Sequence, residues 1–198
     1  MTVTALILAA GRSTRMGQPK MLLPWGETTV LGQVISTVQR AGLKEIIVVS
    51  GGAREEVEAI ASAHGARTVF NPEFANGEML SSIQAGLREI APSALSGKEG
   101  ALIVLGDQPQ VQERSARAVV SRFEETKSNL VVPSYQMRRG HPWLVARPLW
   151  EEILVMRATE SPRDFLNRHA SEIEYVIVDN PSILADLDTP DDYLQSRP

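Results

Sequence analysis

Val3-Thr4-Ala5-Leu6-Ile7-Leu8-Ala9-Ala10-Gly11-Arg12-Ser13-Thr14-Arg15 opens the chain with an aliphatic run that stops at a glycine and turns polar. A short apolar run without alternation is what a strand covered on both faces of a parallel sheet requires. Small residues and a glycine directly behind such a strand let backbone N–H groups come close to an anion. Arg12, Arg15 and then Lys20 add positive charge that can follow a polyphosphate. On composition alone, an ordinary solvated loop has the same basic residues. The spacing is neither the P-loop pattern nor the dinucleotide fingerprint G-x-G-x-x-G.

Outward from this stretch, strand and helix signals alternate. Val30, Leu31, Val34, Ile35 and Val38 fall at helical spacing and predict a helix over 30–41, ended by Gly42. Residues 45–50 and 66–70 read as strands with a helix over 55–64 between them. Residues 80–90 predict a helix with Ile83 and Leu87 inward. Residues 101–105 (ALIVL) predict a buried strand that runs into Gly106-Asp107-Gln108-Pro109. A helix over 115–126 and strands over 130–133 and 143–146 come next. Helices over 149–156 and 162–169, a strand over 175–178 and a terminal acidic helix complete the pattern. Such alternation predicts an α/β fold, a three-layer sandwich around a mostly parallel, Rossmann-like sheet. Ligands then belong at the carboxyl ends of the strands. Residues 93–100 read as a surface connection, residues 134–170 as a small appendage over the sheet edge, and the whole chain, 1–198, as a single domain.

At 198 residues and 43% hydrophobic, such a chain can bury roughly 70% of the surface it would expose unfolded. Disorder and collagen-like repeats are excluded. A net charge of -4 argues against a nucleic-acid partner, which needs a basic face. The absence of cysteine excludes disulfides, thiolate zinc sites, iron–sulfur clusters and cysteine nucleophiles, and suits a cytoplasmic location. The apolar runs are far shorter than the ~20 residues that span a bilayer, so no membrane partner is expected. Residues 3–10 lack the basic leader and small-residue cleavage site of a signal peptide.

Several groups can carry chemistry. Asp107, just beyond a buried strand, sits where a doubly wound sheet places its ligand. Its carboxylate can coordinate Mg²⁺, which takes oxygens from one or two carboxylates plus phosphates. Taken alone, Asp-Gln-Pro can equally start a turn. Asp186-Leu187-Asp188-Thr189-Pro190 offers partner acids, and the same residues can cap a terminal helix. Asn71, Ser81 and Ser82 can hydrogen-bond a base or ribose and Gly77 can permit close backbone approach, though a turn and helix cap need the same residues. Arg138 and Arg139 beside Gly140 can clamp a phosphate or lie on a solvated turn. His64, His141 and His169 lack zinc-ligand spacing.

Leu8-Ala9-Ala10-Gly11, Arg15-Met16-Gly17 and Lys20 together resemble the signature loop of the nucleotidyltransferase superfamily. The Ala-Ala-Gly form followed by Lys20-Met21-Leu22-Leu23 is most similar to molybdenum cofactor cytidylyltransferases; the sister guanylyltransferases have Ala-Gly-Gly there, so Ala10 favours cytidine. The resemblance continues through Asn71-Pro72, Gly77, Ser81-Ser82, Gly86-Leu87, Gly106-Asp107-Gln108-Pro109, Gly140-His141-Pro142 and Asp186 to Pro190, over nearly the whole chain in family order. It implies transfer of CMP from CTP to the phosphate of molybdopterin, with release of pyrophosphate and Mg²⁺ as cofactor. Arg15, Lys20 and Asp107 then take the catalytic roles. Leu8, Ala9, Ala10, Gly11, Arg12, Lys20, Asn71, Gly77, Ser81, Ser82 and Asp107 bind nucleotide. Arg138, Arg139, His141 and Arg163 face the molybdopterin-type acceptor. Asp107 and Asp188 hold the metal, with Asp186 as the alternative to Asp188. A molybdenum hydroxylase is the implied recipient of the product. Relatives have a Gly-Asp-x-Gly-Ala-Arg-like stretch where this chain has Glu160-Ser161-Pro162-Arg163, which keeps only the arginine and opens the question of the acceptor. Transfer to a sugar phosphate or another small phosphate, or a carrier of the molybdenum cofactor without catalysis, are the other two readings.

Overall fold

A computed structural model describes residues 2–76, 78–91 and 99–198. Among them, eight strands form one mixed sheet in the order β10-β7-β9-β6-β1-β4-β5, with β8 (Arg138–Arg139) paired to β7 alone. β1 (Thr2–Leu8) is flanked in parallel by β4 (Glu45–Ser50) and β6 (Glu99–Leu105). β5 (Arg67–Phe70) extends one side in parallel. On the other side β9 (Trp143–Ala146) runs antiparallel between β6 and β7 (Leu130–Tyr135), and β10 (Glu174–Ile177) closes that edge parallel to β7. A separate two-stranded hairpin, β2 (Pro24–Trp25) with β3 (Thr28–Thr29), follows the first loop.

The unalternating apolar runs are explained by the two cores they join. Ala5, Ile7, Ile46, Val48, Leu102 and Val104 point to one face, against α1 (Val30–Arg40), α2 (Arg54–Ala63) and α4 (Glu113–Thr126). Leu6, Leu8, Ile47, Val49, Ile103 and Leu105 point to the other, against α3 (Glu78–Ile90), α5 (Trp150–Val155) and α6 (Pro162–Arg168). Alternate side chains of each central strand are therefore all buried, which makes three layers of the α/β sandwich. Ile83 and Leu87 are fully buried on α3, as their spacing predicts. The predicted appendage over 134–170 is instead built into the layers. β9 carries ladder bonds to strands on both sides, and Trp150, Ile153 and Phe165 complete the second core. Within the connection expected over 93–100, residues 93–98 lie outside the described residues.

A third, small apolar cluster sits at the carboxyl end of the sheet. Met16, Leu23, Trp25, Val30 and Leu187 form it, with Tyr193 of α7 (Pro190–Ser196) packed against them. The Tyr193 hydroxyl donates to the Pro24 carbonyl at 2.7 Å. The last segment of the chain is thereby fixed beside the loop that follows β1. Among the described residues, no helix is long and apolar enough to cross a membrane.

Behind β4, Gly51 leaves no room for a side chain: a Cβ there would lie 2.5 Å from the Ala10 carbonyl oxygen and 2.7 Å from its Cα. Backbone cannot yield as a side-chain tip can. Gly51→Ala is expected to destabilise the fold by about 1–3 kcal/mol through overpacking, and urea unfolding of the two proteins measures it.

Candidate active site

Loop, sheet end and chain end meet around one cavity of about 570 Å³, lined by Leu8, Ala10, Gly11, Arg12, Lys20, Ser82, Asp107, Asp186 and Asp188 among others. Each lining group has a local reason for its place. Ala9 N donates to the Val49 carbonyl, which keeps the chain in the sheet for one residue beyond β1 before the loop leaves it. A 3-10 turn over Thr14–Met16 follows, and Lys20 opens a second one, Lys20–Leu22. The Ser13 hydroxyl accepts from the Lys20 amide at 3.0 Å, which folds the loop back on itself and aims Lys20 at the end of β6.

There Lys20 pairs with Asp107, with side chains only 12% and 17% exposed, and reaches Asp188 at 3.5 Å. Arg15 pairs with Asp188 at 3.0 Å, but these side chains are 74% and 49% exposed. An exposed pair of this kind is worth about 0.2–1 kcal/mol, so Arg15 is cheaply released; Lys20, sheltered between two acids, is not. Asp186 stands beside them and accepts from the Gln108 amide at 2.7 Å. Partial burial pushes the Asp186 carboxyl above its ordinary value, the Gln108 hydrogen bond opposes this, and the charges of Asp107 and Asp188 add to the rise. Leu187 between the two aspartates is fully buried in the third cluster and its amide donates to the Asp107 carbonyl at 3.2 Å.

The structure places Asn71 and Ser81 differently from Ser82. Asn71 is buried and absent from the cavity lining; its amide donates to the Ser81 and Ser82 hydroxyls at 2.8 and 3.1 Å, and its oxygen accepts from Glu73 N at 3.0 Å. Their polar groups satisfy one another and hold the start of α3, which leaves Ser82 alone of the three on the wall. Gly77 lies outside the described residues. Phe74, Asn76, Glu78 and Met79 also line the cavity and were not singled out by the sequence; only their nearness to Gly77 hinted at them.

Arg138, Arg139, His141 and Arg163 come together, but in a second cavity of about 760 Å³ that shares Glu78 and Met79 with the first and includes neither Lys20 nor Asp107. Arg138 and Arg139 form β8, whose hairpin with β7 turns through Gln136 and Met137 at positive φ. Arg139 donates to the Tyr175 hydroxyl (2.8 Å) and to Asn167 Oδ1 (3.0 Å). Among the described residues Arg138 and Arg163 carry no ion pair, although the charge of Arg163 acts on the neighbouring Asp164. His141 precedes a cis proline, and burial holds its imidazole down to about 4, so it is neutral near pH 7.

The chain matches the model of the MobA-like NTP transferase domain over residues 5–173. It belongs to that family. It is a nucleotidyltransferase by that membership. It is 28% identical to the molybdenum cofactor cytidylyltransferase of Escherichia coli K12, over 98% of this chain and 95% of the other. It is 29% identical to the nicotine blue oxidoreductase of Paenarthrobacter nicotinovorans, over 94% of this chain and 92% of that protein. Among solved structures, Rv0371c of Mycobacterium tuberculosis H37Rv superposes with a TM-score of 0.82 at 29% identity, covering 98% of this chain and 97% of its own. The same protein was solved in complex with manganese, with a TM-score of 0.76 at the same identity and coverage.

Behind the second cavity, His169 joins α5 to α6: its ring nitrogens lie 2.7 Å from Glu152 Oε2 and 3.0 Å from Glu172 Oε1. Burial lowers its pKa, but hydrogen bonds and charge from Glu152 and Glu172 outweigh that and raise it above 6.5. A raised folded value means that the contribution is complete below the unfolded pKa and is lost as pH rises through the folded one. Thermal melts between about pH 6 and pH 9 are expected to show this loss, and His169→Gln to flatten it.

Proposed function

We propose that this nucleotidyltransferase moves CMP from CTP to the phosphate of a molybdopterin-type acceptor and releases pyrophosphate. Residues 1–198 act as one domain, with residues 134–170 supplying the acceptor side. Convergence of Lys20, Asp107 and Asp188 on a cavity floored by Ala10 and Gly11 carries the reading. The full-length likeness to the E. coli cytidylyltransferase supports CTP and the acceptor, as does Ala10 in the loop.

The donor set fits a hard divalent cation. Asp107 and Asp188 would hold Mg²⁺ with oxygens, Asp186 stands alongside, and no histidine lines the cavity among the described residues. Nor do three acids or histidines among the described residues form a ready-made cage, which suits an ion that takes its other ligands from phosphates and water. When bound, Mg²⁺ supplies charge neutralisation on the phosphate oxygens of both reactants.

An oxygen of the acceptor phosphate attacks the α-phosphorus of CTP in line; the bond to the bridging oxygen of the β-phosphate breaks and pyrophosphate leaves. The acceptor is already ionised near neutral pH, so no residue need act as general base. Loop amides behind Gly11 hold the triphosphate, assisted by Arg12. Lys20, kept near the α-phosphate by Asp107 and Asp188, stabilises charge on the five-coordinate phosphorus, and Arg15 swings from Asp188 to the leaving pyrophosphate. Positioning and electrostatics supply such catalysis. Arg138, Arg139 and Arg163 lie on the second cavity, away from Lys20, and so hold the body of the acceptor rather than its reacting phosphate. The product passes to a molybdenum hydroxylase in the cytoplasm.

Mg²⁺-dependent pyrophosphate release with molybdopterin and each of CTP, GTP, ATP and UTP tests the reading, with CTP expected to be preferred. Release with a sugar phosphate instead, or cofactor binding without release, would replace it by one of the other two readings. Redox turnover without pyrophosphate would align the chain with its oxidoreductase relative. Lys20→Ala and Asp107→Ala are expected to lose about 10²–10³ in kcat; near-normal turnover in either refutes its role. Arg138→Met/Arg163→Met together should raise KM for the acceptor by about tenfold while leaving KM for CTP unchanged.

A further inference from the structure

The three carboxylates of the first cavity are held in different ways. Asp107 pairs with Lys20, and Asp188 with Lys20 and Arg15. Asp186 has no ion pair among the described residues; its fixed partner is the neutral Gln108 amide, whose Nε2 donates to Oδ1 at 2.7 Å. Gln108 is 3% exposed, and its Oε1 is buried with no hydrogen-bond partner among the described residues. The carboxylate decides this orientation, since the amide turned over would set its oxygen against those of Asp186.

A buried acceptor left unsatisfied costs about 1–3 kcal/mol. An apolar side chain of similar volume would avoid that cost, so packing alone does not account for glutamine here. What the amide adds is aim without neutralisation. A lysine or arginine at this position would compensate Asp186, as Lys20 compensates Asp107. The amide instead fixes one oxygen by a hydrogen bond, brings no charge of its own, and leaves the second oxygen to the cavity. Gln108 also follows Asp107 directly, and the Asp107 carbonyl accepts from Leu187 N. One dipeptide at the end of β6 thus presents its own carboxylate and orients another from the far end of the chain.

We propose that Gln108 is a positioning residue that aims Asp186 at the divalent cation that Asp107 and Asp188 would hold. The proposal rests on the nucleotidyltransferase reading. Partners that orient metal-binding carboxylates typically govern 10–100-fold in metal affinity.

Mn²⁺ titration of the full-length protein, read by the electron paramagnetic resonance of the free ion, tests it beside thermal melts. Gln108→Leu should weaken Mn²⁺ binding by about tenfold or more. Gln108→Met, of similar length and without a donor, should match it, and serves if the leucine variant does not fold. Asp186→Asn should lose affinity too, and adding Gln108→Leu to it should cost nothing further. In turnover, Gln108→Leu should regain kcat at high Mn²⁺ with KM for CTP unchanged, which a merely structural defect would not allow. Wild-type affinity in both Gln108 variants, or a double variant whose loss equals the sum of the single losses, overturns the proposal. If wild-type protein binds Mn²⁺ but releases no pyrophosphate with any nucleotide and acceptor, the catalytic reading falls while the affinities still judge Gln108. Wild-type protein that binds no Mn²⁺ overturns the Gln108 proposal.

Discussion

Burial of one leucine organises the acidic side of the site. Leu187 enters the apolar cluster of Met16, Leu23, Trp25 and Val30 and is fully shielded from water. Burying such a side chain is worth about 1.5–3 kcal/mol, enough to hold an otherwise polar segment in place. Its neighbours on either side are aspartates, and in an extended segment successive side chains point in opposite directions. Seating the leucine therefore turns Asp186 and Asp188 towards the cavity. The same cluster contains Met16 and Leu23, which bracket Lys20 in sequence, so one hydrophobic contact places the lysine and the acids together.

Around that anchor, charge is arranged by exposure. Lys20 and Asp107 are sheltered, whereas Arg15, which reaches Asp188 from outside the lining, is in water; the cations that line the first cavity are Lys20 and Arg12. The second cavity has arginines held by neutral partners, Tyr175 and Asn167, or by none among the described residues. An acidic protein can thus carry local groups of cations, because the field at a site depends on its nearest groups more than on net charge. Glu78 and Met79 line both cavities, which therefore adjoin there.

Much of the fold was legible in the sequence because its strands are hydrophobic on both faces and its helices on one. The run ending at Ala9 and the inward Ile83 and Leu87 read correctly from local pattern. Hairpin β2–β3 and strand β8 did not, since two-residue strands have no period to detect. The partners of Asn71 and Ser81 were not legible either, for a different reason. Asparagine and serine serve a ligand and a buried turn equally well, and composition cannot say which partner they meet.

By itself the sequence determined the layers, the glycine turn behind the first strand and the residue types available for phosphate chemistry, because these follow from hydrophobic periodicity and from covalent chemistry. Tertiary structure alone decided that the arginine group lies on a separate cavity from Lys20, that β9 wedges antiparallel between β6 and β7, and that Gln108 meets Asp186. Each of these depends on which distant segments share a neighbourhood, and that is fixed only when the whole set of apolar faces is buried at once.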